Sequence, residues 1–266
     1  MKMQRVIEWL PKLTTAGIAF VAILFAALPL QAGIILSQDL NTNTNGISLV
    51  AGGGTADRTG TESTITAVVG GKSIVLNNTS ATGNPTATAS FAVDNTNQSL
   101  KISFDYFSSV AAGTSENPSF QLRNAANSPG IQLVMKNAVA GADQGKFGYH
   151  NGTAFQYFNV VLATNDWYNI EVIASAQSAA VKTFDLKVTK SDNTVVIDQT
   201  GLSFRNQLAN YSSVQWFYNA AVSGTTGRMQ LDNIEISSIP EPATISMLGI
   251  GAFCVMLMRR SLSSRS

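Results

Sequence analysis

The amino-acid sequence predicts an all-β protein, a single antiparallel β-sandwich flanked by two apolar end segments. In the middle of the chain, apolar and polar residues alternate with a period of two, which is typical of strands with one buried face. Clusters of Gly, Asn, Ser and Asp separate these short runs, and no long stretch keeps the period of an amphipathic helix. Many short strands joined by turns favour a sandwich or a barrel.

The first 32 residues have the three parts of a secretory signal peptide. Three basic side chains lie within the first twelve residues, and residues 13–30 carry no charge. A small residue, Ala32, precedes Gly33, so we expect signal peptidase to cut between them. An uncleaved membrane anchor is the alternative for an apolar run of this length.

Residues 33–238 form the predicted β-sandwich domain, which is long enough to bury about 70% of its unfolded surface. Its eleven basic and fourteen acidic side chains give a net charge of −3 without a basic stripe, which argues against nucleic acid as a partner. The single cysteine of the chain, Cys254, lies in the C-terminal segment. The domain is therefore expected to have no disulfide.

Four runs show the strand period most clearly, and their alternate apolar residues are expected to face the core. These residues are Leu100, Ile102, Phe104 and Tyr106; Ile131, Leu133 and Met135; Phe184, Leu186 and Val188; and Val214, Trp216 and Tyr218. Residues 191–193 and the pair Asn151–Gly152 each separate two apolar runs, and both predict hairpins.

The last apolar run of the domain breaks the period of two. Leu231 and Ile234 are three residues apart, so they cannot share one face of a regular strand. A β-bulge at Asp232–Asn233 would restore the alternation. We therefore predict a bulge there, with the Asp232 carboxylate capping a neighbouring turn.

The second half of the domain has a recognisable order of elements. A strand at 167–172 precedes the hairpin at 185–199, and a closing strand includes residues 231–234. This order resembles the concanavalin A-like jelly roll of the laminin-G-like kind. The resemblance implies two packed antiparallel sheets, and it carries the fold without catalytic acids.

No motif in the sequence predicts catalysis or metal binding, and we expect neither an enzyme nor a cofactor. A glycoside hydrolase on a jelly roll would need two carboxylates flanking the scissile bond. Asp232 and Glu235 are oddly spaced and would need a bulge between them to align. The Asn-rich segment 41–46 resembles half of a calcium loop, yet amides replace its carboxylates.

Aromatic rings indicate carbohydrate binding as one function, because sugar faces stack on apolar ring faces. The candidate glycan contacts are Tyr149, His150, Phe158 and Phe217. Trp216 and Tyr218 are expected instead to pack between the sheets. The first interpretation is a structural component of the extracellular matrix or cell envelope, associated with exopolysaccharide, and a non-catalytic carbohydrate-binding module is the alternative. A jelly-roll glycoside hydrolase is a third reading.

Near the start of the C-terminal segment 239–266, Glu241 lies between two prolines. Pro240 and Pro242 cannot donate backbone hydrogen bonds, and each disfavours helical geometry in the residue before it. The triplet with Glu241 is therefore expected to be an exposed, extended spacer.

An apolar segment and a basic end follow the spacer. Residues 243–258 carry no charge and would form roughly 24 Å of helix. Arg259 and Arg260 come next, and basic residues stay on the cytoplasmic side of a membrane. We expect a transmembrane helix, with a buried core helix as the alternative.

This arrangement resembles the PEP-CTERM sorting signal of Gram-negative bacteria. In that family exosortase, a membrane-embedded cysteine protease, removes the tail during export. The resemblance implies recognition through the Pro-Glu-Pro triplet and retention through the helix and the arginine pair. It also implies export across the inner membrane, a membrane-anchored precursor, and a final place at the cell surface or in the extracellular matrix.

Overall fold

A computed structural model describes residues 33–61, 63–65, 71–79, 83–92, 97–109, 116–136, 143–220 and 227–240. Within these residues the chain forms fifteen β-strands and no helix. The strands are β1 (Gly33–Gln38), β2 (Ile47–Val50), β3 (Gly54–Thr61), β4 (Lys72–Asn78), β5 (Thr86–Ser90), β6 (Gln98–Ser108), β7 (Glu116–Arg123), β8 (Pro129–Lys136), β9 (Lys146–His150), β10 (Phe155–Val161), β11 (Trp167–Ala174), β12 (Thr183–Lys190), β13 (Val195–Ser203), β14 (Ser213–Ala220) and β15 (Met229–Pro240).

The strands form two antiparallel sheets. The eight-stranded sheet has the order β13-β12-β11-β6-β15-β4-β3, and β1 also pairs with β15. The seven-stranded sheet has the order β10-β9-β8-β7-β14-β5-β2. Buried side chains from both sheets form one hydrophobic core. The prediction of an all-β sandwich is therefore confirmed for the described residues.

Aromatic rings connect the two sheets at the centre of this core. Phe104 of β6 meets Trp216 of β14 edge-on, with ring centroids 5.4 Å apart. Phe120 of β7 stacks on Phe104 at 5.3 Å. Every inward residue predicted from the four alternating runs is at most 3% exposed. The alternation is thus confirmed, and Trp216 and Tyr218 pack between the sheets as expected.

Both predicted hairpins are present. Strands β12 and β13 pair around residues 191–193, where Asn193 adopts a φ of 66°. Strands β9 and β10 pair around a loop that contains Gly152 at a φ of 99°. In that loop the Asn151 side-chain oxygen accepts backbone hydrogen bonds at 2.9 Å from Thr153 and Ala154. An amide side chain thus stabilises the turn that joins the two strands.

The predicted irregularity in β15 is also confirmed. Leu231 and Ile234 are both buried, at 0% and 1% exposure, and Asn233 between them has a left-handed φ of 47°. The partner strand changes here, because Leu231 pairs with β4 and Ile234 with β1. Asp232 Oδ2 accepts a hydrogen bond from the backbone nitrogen of Ser63 at 2.9 Å, so its carboxylate caps the segment after β3.

Several sequence predictions fall outside the described residues. The signal peptide up to Ala32 is one, and the tail from Glu241 onward, with Arg259 and Arg260, is another. Gly33 begins β1 and Pro240 ends β15. Within the part of the chain that the structure describes, no helix has the length and apolar character needed to cross a membrane.

Candidate functional site

The side of the seven-stranded sheet that faces away from the core is lined by polar and aromatic side chains. Phe120, Leu122 and Trp216 point inward, so their neighbours along β7 and β14 point outward. We call this surface the outer face. Its side chains are Thr86, Thr88, Ser119, Gln121, Arg123, Gln132, Val134, Lys136, Lys146, His150, Phe155, Tyr157, Gln215 and Phe217.

The strand register orders these side chains in rows across the sheet. In one row Phe217 lies beside Ser119, which lies beside Val134. The row continues through Gly148 to Tyr157. Four inter-strand spacings separate its two rings, which is roughly 19 Å. The outer face therefore has an aromatic residue near each end of this row.

Three rings form a cluster at one edge of the outer face, and we call them the aromatic platform: His150, Phe155 and Tyr157. Phe155 and Tyr157 stack with centroids 6.2 Å apart, and His150 meets Phe155 edge-on at 4.9 Å. Phe155 is 37% exposed. The ammonium of Lys136 lies 5.0 Å from the centre of the Tyr157 ring. Such a platform can stack against an apolar ligand face and place a cation beside it.

Gly148 explains how the Tyr157 ring fits against the sheet. A Cβ at this position would lie 2.7 Å from the Tyr157 ring and 2.4 Å from the backbone oxygen of Gln156. A side chain at residue 148 would therefore lift the ring or separate β9 from β10. Glycine leaves room for the ring to cover the neighbouring strand.

Amide side chains lie in the middle of the outer face, and we call them the amide ladder: Gln121, Gln132 and Gln215. Arg123 Nη1 donates a 2.7 Å hydrogen bond to Gln215 Oε1, and Gln215 Nε2 donates one of 3.2 Å to Thr88 Oγ1. Arg205, from the loop after β13, donates through Nη1 to Gln132 Oε1. Neutral amides thus fix the position of both guanidinium groups.

Titratable groups near the platform have shifted pKa values. Burial, followed by repulsion from Arg205, lowers the pKa of His150. Its Nδ1 atom accepts a 3.1 Å hydrogen bond from the Gly152 backbone, an arrangement that suits the neutral ring. Burial, followed by the charge of Asp143, raises the pKa of Tyr157. Burial also lowers the pKa of Arg123.

The rings predicted as glycan contacts divide between the two faces of the sheet. Phe217 and His150 lie on the outer face. Tyr149 and Phe158 instead lie on the inner side, where they stack at 5.7 Å, and Tyr149 also meets the buried Phe184 of the other sheet. The structure therefore does not bring the four residues together.

Phe155 and Tyr157 take the outward positions of β10. The sequence alternation places Phe158 outward with Phe217, and Tyr157 on the side of Trp216, and this assignment is wrong. The pairing of Phe155 with His150 and of Tyr157 with Gly148 sets this orientation. The loop between β9 and β10 was the available signal, since its four residues fix the register. A two-residue turn at Asn151–Gly152 alone would give a different register.

Asp232, one of the two acids considered for catalysis, serves the fold. Asp232 is 1% exposed, and its two oxygens accept backbone hydrogen bonds from Ser63 at 2.9 Å and from Asn233 at 2.8 Å. Asp105, also 1% exposed, accepts side-chain hydrogen bonds from Asn169 at 2.9 Å and Asn233 at 2.7 Å. Within the described residues, no three His, Cys, Asp or Glu side chains cluster as metal ligands would.

An open depression lies at the end of the same sheet. Its volume is about 510 Å³, and hydroxyl and amide groups line it together with Phe91. Ser213, which belongs to its wall, pairs with Arg123 on β7. The depression is therefore continuous with the part of the outer face that carries Arg123.

Residues 238–260 match the PEP-CTERM protein-sorting motif. The chain carries a PEP-CTERM sorting signal. The matched segment begins at Ser238, which still belongs to β15. Such a motif implies an exported precursor that exosortase processes. No curated protein sequence matches the chain.

Solved structures with the same fold include proteins whose names refer to carbohydrates. One is the CBM2 module of the evolved Dit of Lactobacillus casei BL23 phage J-1, with 10% identity and a TM-score of 0.57 over 81% of this chain and 99% of that one. Lectin II from Ulex europaeus has 11% identity and a TM-score of 0.53 over 80% and 100% of the two chains. The carbohydrate esterase vb_24B_21 of the Shiga toxin-encoding bacteriophage phi24B has 10% identity and a TM-score of 0.53 over 79% and 100%. These likenesses identify the fold as a jelly-roll sandwich.

Proposed function

We propose that the protein is an exported, exosortase-processed surface protein whose outer face binds polysaccharide without reacting with it. The observation that carries this proposal is the aromatic platform of Phe155, Tyr157 and His150, which lies beside the amide ladder on one side of a sheet. Stacking rings and fixed hydrogen-bonding groups are the two elements that a sugar ring requires.

Each part of the face has its own role in binding. The exposed ring of Phe155 and the half-buried ring of Tyr157 stack against the apolar face of a sugar residue. The half-buried side chains of Gln215 and Thr88 hydrogen-bond to sugar hydroxyls. Ser119, Gln121 and Gln132 are at most 8% exposed, so they order the face rather than contact the sugar. Because the face extends over several strands, it suits a long chain better than a small sugar.

The two end segments direct the export and processing of this domain. The segment 1–32 directs export and is removed by signal peptidase, and the sandwich 33–238 is the working part. The tail 239–266 holds the precursor in the inner membrane until exosortase cuts near the Pro-Glu-Pro triplet. Polysaccharide binding then retains the released protein at the cell surface or in the extracellular matrix.

A non-catalytic role agrees with the use of the carboxylates. Both oxygens of Asp232 are occupied by backbone donors, and those of Asp105 by amides. Neither carboxylate is placed to serve as a general acid. Lectin and carbohydrate-binding-module folds among the similar structures support binding, whereas the esterase makes an assay for hydrolysis necessary.

A glycan array probed with the mature secreted protein tests the proposal. We expect saturable retention on polysaccharides, with no hydrolysis product in the same wells. The variants Phe155→Ala and Tyr157→Ala should together weaken binding by about tenfold or more, which corresponds to the loss of two stacking contacts. Phe107→Ala is the matched control, because Phe107 is a half-buried ring on the other sheet, packed against Trp167. No retention on any glycan, or equal loss in the control, would refute the proposal.

A further inference from the structure

The outer face has a charge that differs from that of the domain as a whole. Among the described residues, four cations and one acid lie on the outer face or bind its side chains. The cations are Arg123, Lys136, Lys146 and Arg205, and the acid is Asp143. The domain as a whole has a net charge of −3. Folding thus concentrates positive charge on one side of an acidic protein.

The opposite side of the molecule shows the reverse balance. The outward positions of the eight-stranded sheet include four acids and two lysines in β6, β11, β12, β13 and β15. They are Glu171, Asp185, Asp198 and Glu235, with Lys101 and Lys187. A polyanion is therefore repelled by one sheet and attracted by the other.

Most of the positive charge on the outer face has no carboxylate to neutralise it. Lys136 and Lys146 share the single carboxylate of Asp143, at 3.9 and 3.4 Å. Within the described residues, Arg123 and Arg205 form no salt bridge, and neutral glutamine amides hold them instead. Each guanidinium keeps its full charge in a fixed orientation, with donors left over for a carboxylate.

Cations lie on both sides of Tyr157 along the strand direction. Gln132, which holds Arg205, and Lys136 lie four residues apart on β8, which is roughly 13 Å. The row with Val134, Gly148 and Tyr157 lies between them. A chain that stacks on Tyr157 therefore passes a cation on each side of that ring.

We infer that the polysaccharide bound by the outer face is anionic and bears carboxylate groups of the uronic-acid type. This inference rests on the proposed function, since it names the class of glycan that the same surface takes. The platform stacks the sugar ring, and the arginines bind its carboxylates in the bidentate manner that guanidinium geometry favours. Nucleic acid fits less well, because three rings at one edge cannot stack successive bases along the face.

A matched pair of polymers tests the inference on the mature secreted protein. The probes are polygalacturonate and the same polymer with its carboxylates methyl-esterified, measured by calorimetry at 50 and 300 mM salt. We expect the acidic polymer to bind at least about tenfold more tightly at low salt, and we expect this preference to shrink at high salt. Arg123→Gln with Arg205→Gln should remove the preference, while the control Lys101→Gln with Lys187→Gln on the other sheet should leave it unchanged.

Different results separate this inference from the proposed function. Equal binding of both polymers, lost together in the Tyr157→Ala variant, would overturn the anionic class and keep polysaccharide binding. Binding of neutral glycans alone would likewise overturn the anionic class and keep polysaccharide binding. Failure to bind any glycan would overturn both proposals. Duplex DNA binding as tightly as polygalacturonate, and independently of Tyr157, would show simple polyanion attraction and would also overturn the inference.

Discussion

Gly33 and Ser238 are hydrogen-bonded neighbours although 205 residues separate them in the sequence. The Gly33 nitrogen donates to Ser238 Oγ at 3.2 Å, and that hydroxyl lies 3.4 Å from the Gly33 oxygen, to which it donates. The two residues face each other on the antiparallel strands β1 and β15. Gly33 is the predicted first residue after signal cleavage, and Ser238 is the first residue of the sorting motif. The fold therefore places the predicted start of the mature chain beside the first residue of the sorting motif.

We predict that Ser238→Ala loosens this closure. The variant loses both side-chain hydrogen bonds to Gly33, which should cost about 0.5–1.5 kcal/mol of unfolding free energy. Urea denaturation of the mature protein measures the loss. Ser237→Ala is the matched control, because the Ser237 hydroxyl has only a 3.5 Å contact with Glu235. Equal destabilisation of the two variants would show that the hydrogen bonds to Gly33 make no specific contribution to the unfolding free energy.

The alternation in β14 predicts a large contrast between adjacent residues. Trp216 is fully buried between the sheets, and Phe217 is half-buried on the outer face. We expect Trp216→Ala to cost about 3–5 kcal/mol, the usual range for a large aromatic residue removed from a core. Phe217→Ala should cost about 1 kcal/mol, since its ring loses less buried area. The midpoints of denaturant unfolding, compared at an unchanged m-value, measure both losses of unfolding free energy. Similar losses in the two variants would contradict the assigned faces.

The inward faces of the strands could be predicted because their patterns are unambiguous. In β6 and β14 every second residue is apolar and its neighbours are mostly polar, so only one face can be buried. The irregularity in β15 was predictable for a similar reason: the spacing of Leu231 and Ile234 excludes a regular strand. Asn233 tolerates the left-handed conformation that the backbone adopts at this point.

The outer face could not be predicted in the same way. In β10 both sets of alternate positions carry apolar residues, so the sequence does not show whether Tyr157 or Phe158 points outward. Only the pairing of Tyr157 with Gly148 decides this. The cations of the face come from separate strands and a loop, so no basic stripe appears in the sequence. Tertiary structure alone gathers Arg123, Lys136 and Arg205 on one side.

Asn233 is predicted to support the fold through a buried carboxylate. Its side chain donates to Asp105 Oδ2 at 2.7 Å, and its backbone has a φ of 47°. Asn233→Asp replaces the donor with a second carboxylate, so we expect a loss of about 3 kcal/mol or more at pH 7. The loss should shrink near pH 4, where carboxylates begin to take up protons.

Asn233→Gly separates the hydrogen bond from the charge. Glycine accepts the left-handed backbone, so this variant removes the side-chain hydrogen bond to a charged acceptor, which should cost about 1.5–3 kcal/mol. Its loss should not change between pH 7 and pH 4 as that of Asn233→Asp does. Urea denaturation at the two pH values measures both variants. A pH-independent defect in Asn233→Asp would show that the two carboxylates do not interact.

The single histidine of the chain reports on the charge of the outer face. We predict that His150 in the folded protein titrates below 6.5, first because of burial and second because of the neighbouring Arg205. The folded state then binds fewer protons than the unfolded state near pH 6. The contribution of His150 to stability is therefore complete above pH 6.5 and is lost as the pH falls through its folded pKa.

Proton NMR of the imidazole ring measures this pKa without ambiguity of assignment. In Arg205→Gln the pKa should rise toward 6.5 without reaching it, because repulsion is removed while burial remains. Lys187→Gln removes a charge from the other sheet and should leave the titration unchanged, since distant exposed charges are screened. A folded pKa at or above 6.5 would contradict the assigned environment of the ring. A pKa that does not respond to Arg205→Gln would show that the guanidinium and the imidazole are not electrostatic neighbours on the outer face.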